Sequence, residues 1–108
     1  MLSGCVQQVF FQHVNQATAR VLAAEGCEVI IPLAQQCCGA LMLHSGLDEQ
    51  AAALARTMIT AFETANVDTV VINAAGCGST MKEYGHLLRD DLVWATRAAA
   101  FSAKCKDI

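Results

Sequence analysis

The stretch VDTVVIN at residues 67–73, followed directly by AAGCGSTM at residues 74–81, decides the fold of this chain. Its run VVI has the continuous apolar character of a strand that is buried on both faces. The glycines on either side of Cys77 indicate a tight turn, and we predict a helix just after this cysteine, with Thr80 and Glu83 as its capping box. A strand, a turn and a helix in this order predict one unit of a parallel α/β sheet.

The same alternation of strand and helix runs through the rest of the chain. Short apolar runs predict strands at residues 2–6 and 27–31, and Pro32 stops the second of them. Apolar residues at helical spacing predict helices at residues 10–21, 47–62 and 88–101. These elements predict the α/β class, with a small parallel sheet, right-handed crossovers and flanking helices in a single domain. We expect the strand order 2-1-3, which places the first strand in the centre.

Local signals mark the ends of the first two helices. Gly26 follows the first helix, where a residue in the left-handed conformation would cap it. Ser45 and Asp48 form a capping pair before the second helix, and Asn66 stands at its far end. The boundaries of both helices are therefore predicted by the side chains that flank them.

Composition restricts the class of protein. The chain has 108 residues, of which 55% are hydrophobic, and this suffices for one domain that buries roughly two-thirds of its unfolded surface. Such a core needs no disulfide staples, so the six cysteines indicate intracellular thiols or metal ligands. A net charge of −3 without a run of Lys or Arg argues against binding to nucleic acid or to an anionic membrane.

The sequence also gives expectations about location and extent. The start MLSGC at residues 1–5 lacks the basic region and long apolar stretch of a signal peptide, and no window approaches the roughly 20 apolar residues of a spanning helix. We therefore expect a cytoplasmic protein without membrane insertion. Because the first predicted strand is short and the chain stops without a tail, we expect residues 1–108 to be one domain cut from a longer protein.

Four cysteines follow the predicted strands. Cys5 lies at the carboxyl end of the first strand, the pair Cys37 and Cys38 in the loop after the second, and Cys77 in the loop after the third. Ligand sites in open α/β sheets lie outside these strand ends, so we expect the four thiols to meet in one pocket. Adjacent cysteines do not easily bridge each other, because their Cα atoms are about 3.8 Å apart and a disulfide needs roughly 4.4–6.8 Å. They can both face a metal.

The other candidate residues have simpler interpretations. Cys27 lies at the opposite end of the second predicted strand, where we expect it to pack, and Cys105 lies in the tail and is read as incidental. His13 and His86 are expected to be structural, whereas His44 follows the cysteine loop and could supply a further ligand. The string GCGSTM at residues 76–81 has the position of a dinucleotide fingerprint but lacks its third glycine, so nucleotide binding is not predicted.

The residues resemble a known family. A cysteine, a long gap, Cys-Cys-Gly, a second long gap and a further cysteine are similar to the cysteine-rich CCG domain of heterodisulfide reductases and of iron–sulfur subunits of flavin-dependent dehydrogenases. The flanking motifs resemble the carboxyl-terminal part of the glycolate oxidase iron–sulfur subunit. These motifs are GCVQ at residues 4–7, CCGAL at 37–41 with His44, NAAGCGS at 73–79, KEYGHLL at 82–88 and the closing KDI at 106–108.

The resemblance implies a function and a site. It implies an electron-transfer role beside flavin-bearing subunits, in a complex that converts glycolate to glyoxylate and is cytoplasmic or peripheral to the membrane. It also implies that an iron–sulfur cluster is bound by four thiols, which are those of Cys5, Cys37, Cys38 and Cys77. The ferredoxin-like cysteine clusters of the full subunit are absent from this sequence, so the chain alone is not expected to oxidise glycolate.

One position departs from the family pattern. That pattern ends in Cys-x-x-Cys, whereas Thr80 stands three positions after Cys77. Four thiolates remain, and they suit a 4Fe–4S cubane or, as the alternative, a tetrahedral zinc site. A function of a different class also stays open, namely a structural or partner-docking domain whose thiol site is vestigial or filled by zinc.

Overall fold

The computed structural model describes residues 1–108 and contains seven helices and two short strands. In chain order these are α1 Cys5–Phe10, α2 Gln12–Ala24, α3 Ala40–His44, α4 Asp48–Ala65, β1 Val70–Ile72, α5 Ala75–Lys82, α6 Tyr84–Leu87, α7 Ala95–Lys104 and β2 Cys105–Asp107. The strands β1 and β2 are parallel, with Val70 opposite Cys105 and Ile72 opposite Asp107. The predicted α/β class, with helices around a small parallel sheet in one domain, is confirmed.

The predicted strands have different outcomes. The third is confirmed at its centre as β1, but residues 2–6 and 27–31 are not strands, and the order 2-1-3 is not confirmed because the sheet contains only β1 and β2. Gly4, at a positive φ of 71°, turns the chain into α1 before the first strand can extend. The buried start of the chain nevertheless lies beside β1, since the backbone N–H of Leu2 donates to the carbonyl of Val71 at 2.9 Å.

The strand β2 was missed by the sequence analysis. We expected Cys105 to be incidental, but it is only 3% exposed and opens the strand that pairs with β1. The three residues of β2 are Cys-Lys-Asp, a composition without the β-branched or aromatic residues that mark strands. Tertiary pairing with β1 therefore decides the conformation of this segment.

The positions of the helices are predicted better than the residues that cap them. Gly26 has φ 87° just after α2, and Asn66 has φ 53° at the end of α4, as the left-handed cap positions require. The capping pair before α4 is wrong, because Leu47 is the cap residue and no side chain bonds the free backbone N–H groups. The helix after the third strand starts at Ala75 rather than after Cys77, so Thr80 lies inside α5 and does not cap it.

The last helix also starts later than predicted. α7 begins at Ala95 because the preceding residues form a turn around Asp91. One carboxylate oxygen of Asp91 accepts hydrogen bonds from the backbone N–H groups of Val93 at 2.9 Å and Trp94 at 3.1 Å. The other accepts a bond from Arg56 of α4 at 3.0 Å. The turn is thereby attached to α4.

A single apolar core lies between α4, the helices α5 to α7 and the strand β1. Phe62 of α4 and Tyr84 of α6 both contact the ring of Phe101, at centroid distances of 5.9 Å and 5.6 Å. Met58 and Ile59 are fully buried beside them. Each of these side chains contributes about 1.5–3 kcal/mol by leaving water, so this cluster is a large favourable term in folding.

None of the helices combines the length and the apolar character that crossing a membrane requires.

Truncation of the aromatic cluster tests the position of the core. We expect Phe62→Ala to lower the free energy of unfolding by about 3–5 kcal/mol, because a large ring is removed from a closely packed site. Phe10→Ala is the matched control, since that ring is 72% exposed. Urea unfolding followed by circular dichroism measures both variants. Equal losses in the two variants would place the core elsewhere.

The turn around Asp91 should make stability depend on pH. The hydrogen bond from the N–H of Val93, followed by the contacts with Arg56 and Trp94, lowers the pKa of the Asp91 carboxyl. A carboxyl group whose pKa is lowered by folding stabilises the folded state at pH values above its unfolded pKa of about 3.9. This contribution disappears as the pH falls through the folded pKa. The free energy of unfolding of Asp91→Ala should therefore be lower than that of the unmodified chain at neutral pH, and this difference should become smaller in acid. Asp90→Ala is the control, and a deficit independent of pH would contradict the role of the charge.

Candidate metal centre

The four predicted cysteines lie around one cavity. Cys5 is the first residue of α1, Cys37 and Cys38 lie in the loop before α3, and Cys77 lies in the first turn of α5. All four line a cavity of about 470 Å³ whose other walls are mostly apolar. The structure thus brings together the residues that the sequence placed after three successive strands, although two of those strands are absent.

The thiols form two pairs at different depths. The Sγ atoms of Cys5 and Cys37 are 3.8 Å apart near the surface, and those of Cys38 and Cys77 are 3.2 Å apart further inside. Cys5 is exposed, whereas Cys38 is only 4% exposed. No three Cys, His, Asp or Glu side chains are grouped closely enough to hold one metal ion. The arrangement is two thiol pairs that border one cavity rather than a closed cage.

The loop that carries Cys37 and Cys38 is held by its backbone. Gly39 has φ 88°, and a Cβ atom there would lie 3.3 Å from the carbonyl oxygen of Ala51, so a glycine allows the loop to approach α4. The hydroxyl of the fully buried Tyr84 donates to the carbonyl of Cys38 at 2.5 Å. These contacts fix the loop to the apolar core.

The two thiols of the inner pair differ in acidity. The Sγ of Cys38 donates to the Sγ of Cys77, and this hydrogen bond, together with burial, raises the pKa of Cys38. The same bond lowers the pKa of Cys77, so Cys77 loses its proton more readily than Cys38. At the surface, burial of the sulfur followed by its contact with Cys37 raises the pKa of Cys5. Because metals bind thiolates, loading of this site releases protons and is favoured by higher pH.

The remaining cysteines and histidines have separate positions. Cys27 is outside the cavity, as predicted, but it is exposed, so its predicted packing role is wrong. His44, at the end of α3, lines the cavity. His13 and His86 are exposed and do not line it.

Three polar residues of this region were missed by the sequence analysis. Tyr84 holds the cysteine loop, and Gln7 and Asn73 line the cavity and are hydrogen-bonded to each other at 3.2 Å. A signal for Asn73 was present, because it is the first polar residue after a buried apolar run and is followed within a few positions by Cys77. Nothing in the sequence near Gln7 indicates that its side chain is buried.

This combination, a small parallel α/β domain with four cysteines around one cavity, defines a cysteine-rich domain with a shared thiol cavity. The family model described as a cysteine-rich domain, CCG, matches residues 1–82. The chain therefore belongs to the cysteine-rich CCG domain family.

Curated relatives share this region at high identity. The chain is 49% identical over 105 residues to the probable glycolate oxidase iron-sulfur subunit of Bacillus subtilis (strain 168), a match that covers 97% of this chain. It is 36% identical over 111 residues to the glycolate oxidase iron-sulfur subunit of Escherichia coli (strain K12), covering 100% of the chain. It is 40% identical over 100 residues to lactate utilization protein A of an Exiguobacterium species, covering 93%.

The relatives are longer than the region they share with this chain. The matches cover 24% of the Bacillus subtilis protein, 27% of the Escherichia coli protein and 41% of the Exiguobacterium protein. The chain therefore spans between about a quarter and two-fifths of the length of these relatives. No solved structure matches the chain.

Oxidation of the metal-free protein should reveal the two thiol pairs. We expect dilute hydrogen peroxide to form the disulfides Cys5–Cys37 and Cys38–Cys77, each from two thiols and one peroxide with release of two water molecules. Cys77, the more acidic thiol of the inner pair, should react first and give a sulfenic acid; the Cys38 thiol then attacks its sulfur, and the hydroxyl group leaves as water. Peptide mapping by mass spectrometry identifies the bridges and should leave Cys27 and Cys105 free.

The Cys27→Ser variant serves as the control and should give the same two bridges. In the unmodified chain, six free thiols after oxidation, or a bridge between Cys37 and Cys38, would show that the sulfurs are not paired as the structure has them.

Proposed function

We propose that this chain is an electron-transfer module of an oxidoreductase complex, in which Cys5, Cys37, Cys38 and Cys77 bind an iron–sulfur cluster. The observation that carries the proposal is the convergence of these four thiols on one cavity. Support comes from the relatives, two of which are named as iron-sulfur subunits of glycolate oxidase.

The donor set suits a cluster better than a single ion. A structural zinc ion needs four ligands around one point, with sulfur at about 2.3 Å from the metal. The two thiol pairs are not grouped in that way, and they border a cavity of about 470 Å³. An iron–sulfur cluster is held by four cysteine thiolates spread around its several metal atoms. We therefore propose a 4Fe–4S cluster, with zinc as the alternative occupant.

The chain would tune such a group through its surroundings. The group itself would supply one-electron oxidation and reduction. Apolar side chains such as Val6, Phe11 and Val14 line the cavity and lower its polarity, and burial of this kind shifts the reduction potential. The backbone N–H of Gly39 donates to the Sγ of Cys37 at 3.4 Å, and hydrogen bonds to a ligating sulfur favour its negative charge.

The substrate chemistry would lie in other parts of the complex. We propose that a flavin-bearing partner oxidises glycolate to glyoxylate, removing two electrons and two protons, and that this domain relays the electrons. The names of the lactate utilization relatives extend the substrate class to small 2-hydroxy acids. We further propose that residues 1–108 form one domain of a longer subunit, because the relatives are longer. We propose that this domain acts in the cytoplasm, where cysteine ligands stay reduced.

A second candidate function is a partner-docking domain whose thiol site holds zinc or has lost its metal. The observation in its favour is the exposed apolar surface beside the cavity. Val9 and Phe10 of α1 and Leu41 of α3 are all more than half exposed. Clusters of such side chains commonly mark contacts with other proteins.

Reconstitution with iron and sulfide in the absence of oxygen separates the two functions. We expect broad visible absorption that bleaches on reduction, and we expect Cys38→Ser to lose most of it because a proposed ligand is removed. Cys27→Ser is the matched control, since Cys27 lies outside the cavity. Equal loss in both variants, or tight zinc uptake without an iron signal, would favour the docking domain.

A further inference from the structure

The first two helices are attached to the rest of the molecule in an unusual way. Between Cys5 and Cys37 no apolar residue is buried, and the only buried residues are the polar Gln7 of α1 and Thr18 of α2. Helices normally dock by burying an apolar stripe. In α1 and α2 apolar residues such as Val14 and Leu22 are at most half-buried, so the buried polar contacts contribute to where these helices lie.

Three of those polar contacts meet at Asn73, the residue that follows β1, and two others, from Gln8 and Asn15, reach Ser3. Its Oδ1 accepts a hydrogen bond from Gln7 at 3.2 Å, and its Nδ2 donates to the Oδ1 of Asn15 at 2.9 Å and to the Oγ1 of Thr18 at 3.1 Å. Every side-chain hydrogen bond that joins α1 or α2 to residues 66–108 passes through this one amide. Both buried residues of the two helices are therefore partners of Asn73.

Asn73 also links the two segments that carry Cys5 and Cys77. It precedes Cys77 by four positions, while its partner Gln7 lies two positions after Cys5, and both Asn73 and Gln7 line the cysteine cavity. Gly4 makes room for this contact, because a Cβ atom there would collide with the amide of Gln7. The Asn73–Gln7 bond thus connects the helix that begins with Cys5 to the segment that carries Cys77.

We propose that Asn73 is a positioning residue that, acting through Gln7 and Thr18, holds Cys5 beside the other three thiols. Cys37, Cys38 and Cys77 are fixed by the core through Gly39, Tyr84 and α5 and do not depend on it. The inference rests on the proposed function in one respect only, which is the identity of the group that the four thiols bind. The position of Cys5 can be measured without any metal.

The test compares the two thiol pairs within each variant. Metal-free, reduced protein is treated with limiting hydrogen peroxide, and the rates at which the Cys5–Cys37 and Cys38–Cys77 disulfides form are followed by peptide mapping. In Gln7→Ala, which loses one of the three bonds to Asn73, and in Asn73→Ala, which loses all three, we expect the outer bridge to form about five- to thirtyfold more slowly relative to the inner bridge. Gln12→Ala is the matched control, because its exposed amide bonds only the carbonyl of Gln8, and it should leave the ratio unchanged.

Several results would overturn the proposal. They are an unchanged ratio in Gln7→Ala, an equal slowing of both bridges, and failure of the unmodified chain to form the outer bridge. If Asn73→Ala does not fold, Gln7→Ala decides, since it removes one of the three bonds to Asn73 and leaves the other two. Iron uptake is measured separately on the unmodified chain, so absence of a cluster would refute the proposed function without altering the ratio.

Discussion

The hydrogen bond from the hydroxyl of Tyr84 to the carbonyl of Cys38 connects the apolar core with the cysteine cavity. Burial raises the pKa of Tyr84, so the phenol keeps its proton at neutral pH and donates. A buried carbonyl without a partner would cost about 1–3 kcal/mol. Loss of this hydrogen bond would therefore destabilise the fold by more than the bond contributes on balance. Because the ring of Tyr84 also stacks on Phe101, the packing of α6 against α7 sets the place of the Cys37 and Cys38 loop.

The molecule consequently has two regions that are held by different forces. α4, the helices α5 to α7 and β1 share an apolar core, and three of the four cysteines are attached to it. The region of α1 and α2 is held by amide side chains and carries the fourth cysteine on a largely exposed surface. Regions with few buried apolar contacts open at lower free energy than the core. We expect the mouth of the cavity to be more mobile than its inner wall.

The sequence predicted the fold class and the grouping of the cysteines better than it predicted the strands. The order of apolar runs identified the segments that lie near one another, which is why Cys5, Cys37, Cys38 and Cys77 were placed together even though residues 2–6 and 27–31 form no strands. Single residues explain where the observed elements differ from the predicted ones. The positive φ of Gly4 ends the first extended segment early, and no side chain near Leu47 caps α4. The role of Asn73 could not be predicted, because its partners lie in helices far away in sequence.

The pairing of β1 with β2 has a consequence for the way the chain acquires its structure. Val70 lies opposite Cys105, and the N–H of Ile108 donates to the carbonyl of Ile72, so the sheet joins the segment around β1 to residues 105–108. A chain emerging from the ribosome can form α2 and α4 early, because their backbone hydrogen bonds are local, but β1 has no partner strand until residues 105–107 have been synthesised. Until then the apolar edge of β1 is open to chaperones or to the wrong strand.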